Sequence, residues 1–358
     1  MMYGKFDKMI FLSVLALLFI GLLVLYSASG KYFSYHVILR QILWMGIGFA
    51  CFFIALRIDY HHFINAAYLL YAVTLVLLVA VLFLGRTIGG AHRWISLGIF
   101  NLQPSELAKV AFVLALASYA GKRKNDVGGI VFFLKSLCFT FPVVALVLIE
   151  PDLGTAFLFI PVTMAMLFIA GARVKHLLGF TLLGLGSFPF FWHFLRDYQK
   201  QRLVVFMNPN IDPLGSGYTI IQSKIAVGSG GILGKGWLAG TQNQLNFLPE
   251  RHTDFIFSVI GEEWGFLGAL VLMLLYILII YRGIKIAEST PDLYGRLVAV
   301  GIISIIFLHV VVNIGMTIGF LPIVGLTLPL VSYGGSSLII MMLCIGLLLN
   351  IGMRRPLF

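Results

Sequence analysis

The chain has 358 residues, of which 60% are hydrophobic and 11% are charged, and its formal net charge at pH 7 is +11. A soluble domain carries about 25% charged residues, so this composition excludes a water-soluble fold and indicates a protein that crosses the membrane several times. The positive charge is typical of the cytoplasmic loops of such proteins and predicts no nucleic-acid partner.

The apolar runs are long and continuous, which favours helices over a β-barrel, whose strands would alternate over about ten residues. Ten runs approach the roughly 20 apolar residues that a spanning helix needs. The first run is longer than the apolar part of a signal peptide, so we interpret it as a retained helix. The chain is thus predicted to be one all-α transmembrane domain over residues 1–358, with ten transmembrane helices centred on residues 9–28, 36–56, 64–84, 105–120, 130–149, 153–171, 177–195, 255–281, 295–320 and 332–351.

The basic residues predict the orientation, because Lys and Arg collect in short cytoplasmic loops. Four of them lie in the short outer segments: Lys31, Arg40, Arg86 and Arg93. With the N-terminus inside, 14 lie on the inner side: Lys5, Lys8, Arg57, Lys122, Arg123, Lys124, Lys135, Arg173, Lys175, Arg282, Lys285, Arg296, Arg354 and Arg355. Both termini are therefore predicted to be cytoplasmic, with one large extracytoplasmic loop, approximately 196–253, between helices 7 and 8. That loop is left out of the comparison, because long loops are translocated largely regardless of charge.

The stretch LPERHTDFIF at 248–257 places polar and charged residues directly before the eighth predicted helix. A carboxylate there would stabilise the positive end of a helix, but this does not explain Glu262 and Glu263, about 12 Å further along. Polar groups at membrane depth usually face a partner or a water-filled cavity. We therefore predict that Asp254 lines an outward-facing cavity on one stripe with Ser258 and Gly261, although a simple helix-end carboxylate stays open. Glu262 and Glu263 are expected to be structural partners of buried bases.

Two outer segments supply further candidates. In QPSELAK at 103–109, Glu106 and Lys109 fall on one helix face and are either an ion pair at a helix start or part of the cavity. Arg93 and Trp94 precede them, and Trp94 by itself is typical of the interfacial aromatic belt. In EPDLGT at 150–155, Asp152 is well explained as the N-cap of the sixth helix.

The SYGGSS stretch at 332–337 begins the last predicted helix. Backbone amides at such a start can bind an anion, and small residues can equally serve close helix packing, so both interpretations of this stretch stay open. The candidates for substrate binding here are Ser332, Gly334, Gly335 and Ser336. His309 and Asn313, inside the ninth predicted helix, are interpreted as interhelical hydrogen-bonding residues rather than a proton relay. The sequence shows no dedicated metal site.

Five stretches together resemble the SEDS family (shape, elongation, division and sporulation), in the family's order and over nearly the whole chain. They are AHRWISLGIFNLQPSELAK, IEPDLGTA, GSGYTIIQSKIAVGSGG, GTQNQLNFLPERHTDFIFSVIGEEWGF and PLVSYGGSS. The sequences IIQSKIAVGSGG and TQNQLNFLPERHTDF resemble the elongation branch, RodA, more closely than the division branch, FtsW. The resemblance implies a peptidoglycan glycosyltransferase that polymerises lipid II, an undecaprenyl-pyrophosphate-linked disaccharide-pentapeptide, into β-1,4 glycan.

The same resemblance implies the setting of this activity. It places the chain in the bacterial cytoplasmic (inner) membrane as a multi-pass protein, with its active site facing the extracytoplasmic side. The implied partners are a class B penicillin-binding protein with transpeptidase activity, the elongation machinery and membrane lipids. A divalent cation, Mg²⁺ or Mn²⁺, is left open as a cofactor, because Mg²⁺ often binds through one carboxylate and phosphate oxygens.

The resemblance also implies residue roles. The family's essential Asp in TDFIF corresponds to Asp254, its Arg and Trp before the fourth helix to Arg93 and Trp94, and the Glu and Lys of QPSExxK to Glu106 and Lys109. Asp254 is then expected to be the general base toward the 4-hydroxyl of the acceptor sugar, in one inverting displacement. The residues expected to stabilise the leaving pyrophosphate are Arg93, Lys109, Arg251 and the SYGGSS amides.

Two alternatives to the polymerase stay open. One is a transporter that moves lipid II across the bilayer, and the other is a scaffold that only recruits the crosslinking enzyme. The transporter is disfavoured because the polar residues cluster on one side and the sequence shows no inverted repeat.

Overall fold

The structure is a computed structural model that describes residues 6–354, apart from 89–90, 97–100, 124–125, 194, 196 and 214. Of the basic residues used for orientation, Lys5, Lys124 and Arg355 lie outside the described residues. The helices are α1 (Lys8–Ala28), α2 (Gly30–Arg57), α3 (Tyr60–Asn65), α4 (Ala67–Leu84), α5 (Pro104–Lys122), α6 (Ile130–Ile149), α7 (Leu153–Ala170), α8 (Val174–Trp192), α9 (Asp197–Met207), α10 (Ser216–Ser229), α11 (Thr241–Gln244), α12 (Ile256–Ser289), α13 (Leu293–Thr317) and α14 (Gly335–Arg354).

Eight helical segments of the described chain are long and apolar enough to cross a membrane: α1, Tyr35–Arg57 of α2, α4, α6, α7, α12, α13 and α14. Helices α5 and α8, of 19 residues each, lie at two further positions where a span is predicted. Almost every residue of α5 from Pro104 to Ala120 is buried, so its polar side chains contact protein rather than lipid. The helical membrane fold is confirmed, whereas the number of ten spans and their orientation stay predictions.

Three helices form the middle of the bundle. Most residues of α5, α13 and α14 are buried. Helix α13 packs against α5, α7 and α12, and α14 packs along α2, while α1 lies against α12. These central helices supply part of the lining of the cavity described below.

A small antiparallel sheet precedes α5, with β1 (Arg86–Ile88), β2 (Ala91–Ser96) and β3 (Asn101–Leu102) in the order β1-β2-β3. Its register pairs Arg86 with Trp94 and Ile95 with Leu102. The prediction of an all-α chain was wrong here, because the segment is too short and too polar to span the membrane. This hairpin carries Arg93 and Trp94 to one end of the bundle.

The connection predicted as a large loop contains α9, a 3₁₀ turn at Pro209–Ile211, α10 and α11. Helix α10 packs on α12, where Ser223 Oγ lies 2.7 Å from Ser258 Oγ and donates to Thr317 O at 2.6 Å. A Cβ on Gly261 would lie 3.2 Å from the Val227 side chain. The predicted stripe of Asp254, Ser258 and Gly261 was therefore wrong below Asp254, because α10 covers that face of α12.

Helix α12 is interrupted at Gly265, whose φ is +62°. The backbone groups around this break bond to the connector between α10 and α11, residues 230–240. Phe266 N donates to Gly231 O at 2.9 Å, and Lys235 N donates to Glu262 O at 3.0 Å. A Cβ on Gly265 would lie 2.3 Å from Gly234 N, so glycine is required by both the angle and the close approach. Irregular backbone at this depth is tolerated because its polar groups are hydrogen-bonded to the connector.

The Glu262 and Glu263 side chains hold the same connector against α12 by hydrogen bonds. Lys235 Nζ lies 2.8 Å from Glu262 Oε1, so the partner of Glu262 is a base as predicted, but it is an exposed base rather than a buried one. Glu263 instead accepts hydrogen bonds from Ser27 Oγ at 2.5 Å and from Asn243 Nδ2 at 3.2 Å. Its partners are neutral, so the prediction of a base was wrong for Glu263.

Candidate active site

A polar cavity of about 740 Å³ opens at the end of the bundle where α12 and α14 begin. Seven of the residues predicted for the site line it: Arg93, Trp94, Glu106, Asp152, Asp254, Gly334 and Gly335. They come from the β2 strand, the starts of α5 and α7, and the segments before α12 and α14. The fold thus gathers side chains that are up to 242 residues apart in sequence.

A tight turn over residues 250–255 places Asp254 at this cavity. Glu250 has a φ of +48°, and its carbonyl accepts hydrogen bonds from the backbone N–H groups of Thr253, Asp254 and Phe255. Thr253 Oγ1 also donates to Glu250 Oε2 at 3.0 Å. The turn ends one residue before α12, so the Asp254 side chain projects into the cavity beside Gly325, where an added Cβ would lie 3.4 Å from Asp254 Oδ2.

The surroundings of Asp254 raise its pKa from 3.8 to about 7. Burial is the largest cause, and the Glu250 carboxylate acts in the same direction, while Arg202 and Arg93 oppose it. A carboxyl that titrates near neutrality is suited to accept a proton, because a base works best when its pKa lies near the operating pH.

Arg93 is anchored by the main chain at the end of α6. Its Nε donates to Glu150 O at 3.1 Å and a terminal nitrogen donates to Pro151 O, while the other lies 4.0 Å from Asp152 Oδ2. Asp152 caps α7 by accepting from Thr155 N at 3.1 Å and Thr155 Oγ1 at 2.9 Å. The N-cap interpretation of Asp152 is therefore confirmed, and the same residue also lines the cavity.

Lys109 lies beneath the cavity floor rather than in its lining. Its Nζ is 2.8 Å from Glu106 Oε2 and 2.9 Å from His309 Nε2, and the side chain is 2% exposed. His309 Nδ1 is 3.0 Å from Thr327 O. Because a carbonyl only accepts, Nδ1 carries the proton and Nε2 accepts from the lysine ammonium. Lys109 thus neutralises Glu106 and orients His309, both of which face the cavity.

Besides Lys109, three further residues predicted for the site do not line the cavity. Ser332 Oγ donates to Thr253 O at 2.6 Å, and Ser336 Oγ donates to Asn101 O at 2.8 Å. Arg251 Nε donates to Ala28 O at 2.5 Å, and burial lowers the pKa of its guanidinium. These three side chains join the segments around the cavity, and Ser337 takes the lining position next to Ser336.

Of the two interpretations of the SYGGSS stretch, close packing is present, and anion binding stays a prediction. Gly334 and Gly335 line the cavity at the start of α14. An added Cβ on Gly335 would lie 2.8 Å from the Trp44 ring. Close packing is therefore present at Gly335, next to backbone that borders the cavity.

The lining residues that sequence reasoning did not assign to the site include Arg40, Trp44, Arg202 and His309. Arg202 lies on α9, within the segment that was treated as a loop, and its Nη1 donates to Ile323 O at 3.3 Å. His309 was predicted to be an interhelical hydrogen-bonding residue, and its bonds to Lys109 and Thr327 confirm this, but it also faces the cavity. The signal in the sequence that could have indicated this role was the position of His309 one helical turn before Asn313, a second polar residue in an apolar helix.

The chain is similar to a known family and to solved structures. A family described as cell cycle protein (FtsW, RodA and SpoVE) matches residues 7–356. Peptidoglycan glycosyltransferase MrdB of Escherichia coli (strain K12) is 43% identical over 358 residues, covering 98% of this chain and 94% of that protein.

Two solved structures share the fold. A chain from the structure titled "Structural coordination of polymerization and crosslinking by a peptidoglycan synthase complex" has a TM-score of 0.84 and 36% identity, covering 97% of this chain and 98% of its own. The crystal structure of the rod shape determining protein RodA of Thermus thermophilus has a TM-score of 0.75 and 32% identity, covering 99% of both chains. By the match over almost its full length, the chain belongs to the FtsW, RodA and SpoVE family, the SEDS family whose motifs its sequence resembles.

Proposed function

We infer that the protein is a peptidoglycan glycosyltransferase of cell elongation, and we propose that it polymerises lipid II with Asp254 as the general base. Relatives that cover nearly the whole chain carry the names peptidoglycan glycosyltransferase MrdB and RodA, which supports the enzyme class. The branch is supported by the RodA structures, which share the fold over 99% of the chain.

The observation that carries the catalytic proposal is the Asp254 carboxyl, with a pKa of about 7, in a cavity that also holds arginines. A base alone would fit many hydrolases. Cations beside the base fit a substrate whose leaving group is a phosphate ester, because fixed charges stabilise the charge that develops there. Arg40, Arg93 and Arg202 supply these charges around the lining.

In the proposed reaction, Asp254 removes the proton from the 4-hydroxyl of the acceptor GlcNAc. The resulting oxygen nucleophile attacks the anomeric carbon of MurNAc in the donor, and the bond to undecaprenyl pyrophosphate breaks. A single displacement converts an α-linked donor into a β-1,4 product, so the reaction inverts. General base catalysis typically contributes on the order of 10²–10⁴-fold to the rate.

The buried triad of Glu106, Lys109 and His309 has a supporting role in this proposal. Lys109 balances the Glu106 charge, so the cavity floor keeps a carboxylate for hydrogen bonds to sugar hydroxyls, while both ring nitrogens of His309 are already bonded. Arg93 is held by backbone carbonyls and presents its remaining edge to the cavity, close to Asp152. The pyrophosphate is therefore proposed to lie toward Arg93, with the acceptor hydroxyl near Asp254.

A divalent cation would have to take most of its ligands from the substrate. Among the residues that the structure describes, no group of three or more His, Cys, Asp or Glu side chains is arranged to hold a metal ion. Asp152 and Glu250 already accept hydrogen bonds from Thr155 and Thr253. Such an ion, Mg²⁺ or Mn²⁺, would be held mainly by pyrophosphate oxygens and would supply positive charge at the leaving group.

The proposed setting is the extracytoplasmic face of the bacterial cytoplasmic membrane, with ten spans and both termini inside. This orientation is supported by the excess of Lys and Arg in the segments predicted to be cytoplasmic over the short outer segments. A class B penicillin-binding protein is the proposed partner, since a solved relative comes from a complex that coordinates polymerization and crosslinking.

The test is glycan synthesis from labelled lipid II by purified protein with its crosslinking partner. Wild type is compared with Asp254→Asn, which keeps the shape and removes the base. We expect long glycan from the wild type and none from the folded, partner-bound variant. Equal synthesis by both would refute the base assignment.

The same preparation separates the polymerase from its alternatives. Movement of lipid II across vesicle membranes without synthesis by either form would favour the transporter. If changes throughout the cavity leave cell elongation intact while changes on an outer helix face abolish it, the scaffold interpretation stands.

A further inference from the structure

The connector between α10 and α11 carries a cluster of exposed apolar side chains that the proposed chemistry does not use. Ile232 and Leu233 are 69% and 77% exposed, and Trp237 is 48% exposed. We propose that residues 231–238, here called the connector tip, insert into the lipid leaflet on the cavity side of the membrane.

The first argument is the level of the connector tip along α12. It bonds to α12 at the Gly265 break, where Leu267 N donates to Ile232 O at 3.1 Å and Gly236 N to Glu263 O at 3.0 Å. The part of α12 after the break, residues 266–289, is about 36 Å long at 1.5 Å per residue. That length alone crosses a hydrocarbon core of about 30 Å, so the break lies at the edge of the core.

Contacts with α1 give the same level independently. The connector and the turn that follows it meet α1 at successive depths, with Arg251 bonded to Ala28 O, Asn243 to Ser27 O and Trp237 Nε1 to Leu23 O at 3.2 Å. Since α1 ends at Ala28, Trp237 lies below the end of a membrane helix.

The chemistry of the connector tip fits lipid rather than water. Phe266 and Leu267, next to it on α12, are 58% and 46% exposed and continue its apolar surface. Its one cation, Lys235, is exposed but its ammonium is bonded to Glu262 Oε1 and Thr241 Oγ1, at 2.8 Å each. Trp237 and Tyr26 rings lie 5.8 Å apart, and aromatic pairs of this kind are typical of the membrane interface.

The test uses a single fluorescent label in vesicles of phosphatidylethanolamine and phosphatidylglycerol. Cys51, Cys138 and Cys344 are replaced by alanine, and Leu233→Cys is labelled with bimane. Leu274→Cys, on the exposed side of α12 after the break, is the lipid control, and Asn210→Cys, on the 3₁₀ turn after α9, is the water control. Glycan synthesis by each labelled protein checks the fold.

We expect lipids with an acyl-chain spin label to quench position 233 as they quench position 274, and aqueous iodide to quench only position 210. Quenching of position 233 by iodide and not by lipid would overturn the proposal. Quenching by neither agent would also overturn it, because a second copy of the chain would then cover the tip. Ile232→Cys repeats the measurement if Leu233→Cys does not fold.

Discussion

Asn313 on α13 donates from Nδ2 to the main-chain oxygen of Asp254 at 2.9 Å. The same amide donates to Leu326 O at 2.7 Å, and Asn313 is fully buried. The Asn313 side chain therefore links two segments that flank the Asp254 carboxylate. One is the turn that carries Asp254, and the other is the segment that carries Gly325. The position of Asp254 is set by a helix that contributes to the cavity only through His309, one turn away.

Asn313→Ala is expected to lower glycan synthesis on the order of 10²-fold, because a small displacement of a catalytic group has an effect of this size. It also leaves two buried carbonyls unpaired, which costs about 1–3 kcal/mol of unfolding free energy each. Polymerisation rates and thermal unfolding in detergent measure the two effects.

The matched control is Asn350→Ala. Asn350 is also fully buried and donates to three backbone carbonyls, of Ala55, Leu56 and Ile58, on helix α14 away from the cavity. Because Asn350 Oδ1 also accepts from Tyr60 N and Arg354 Nε, this variant should lose at least as much stability as Asn313→Ala and keep its specific activity once folded. Equal losses of activity in both variants would show that Asn313 acts only through stability.

Asp254 should give the synthesis rate a dependence on pH. The pKa of about 7 means that the base is ionised only above neutrality, so the rate is expected to rise as the pH increases from 6 to 8. Asp254→Asn should lower the rate on the order of 10²–10⁴-fold and abolish this rise. A flat wild-type profile across this range would contradict the assignment.

The same carboxyl should weaken the fold at higher pH. Its folded pKa, about 7, lies above its ordinary value of 3.8, so the stability that it contributes is present below about pH 4 and is lost as the pH rises to 7. Asp254→Asn lacks this loss. Thermal unfolding at pH 4.5 and pH 8 should therefore fall less in the variant than in the wild type.

Glu150 should impose a decline on the alkaline side. Burial, assisted by the Asp152 carboxylate, raises its pKa from 4.5 to about 8, and its carboxylate oxygens have no hydrogen-bond partner. Above pH 8 a new negative charge would compete for Arg93, whose Nε already contacts Glu150 O. We expect kcat/KM to fall above pH 8 in the wild type and to stay level in Glu150→Gln. Parallel declines in both proteins would exclude Glu150 as the cause.

The buried ion pair below the cavity predicts a non-additive pair of variants. Lys109→Met leaves the Glu106 charge without a partner, which typically costs about 3–5 kcal/mol. The double variant Glu106→Gln, Lys109→Met removes both charges and should recover much of that stability without recovering glycan synthesis. Thermal unfolding of the two singles and the double gives the coupling, and additive losses would indicate that the pair does not interact.

The class of fold followed from the sequence by local patterns alone. Hydrophobic runs give the positions of membrane helices, because the bilayer requires about 20 apolar residues wherever a helix crosses it. Charges that interrupt such runs are costly unless they have a partner or a cavity, and this rule selected Asp254, Glu106 and Lys109. All three lie at or directly below the cavity.

Tertiary structure alone decided which predicted residues meet and which face each helix turns inward. Helix periodicity placed Ser258 on the stripe of Asp254, yet α10 from the predicted loop covers it. Arg202 and His309 enter the lining by contacts with segments 121 and 18 residues away, and Ser332 and Ser336 are used to join segments instead. A local pattern fixes a residue's position along its own helix, whereas the neighbours that cover a face depend on packing between elements distant in the chain.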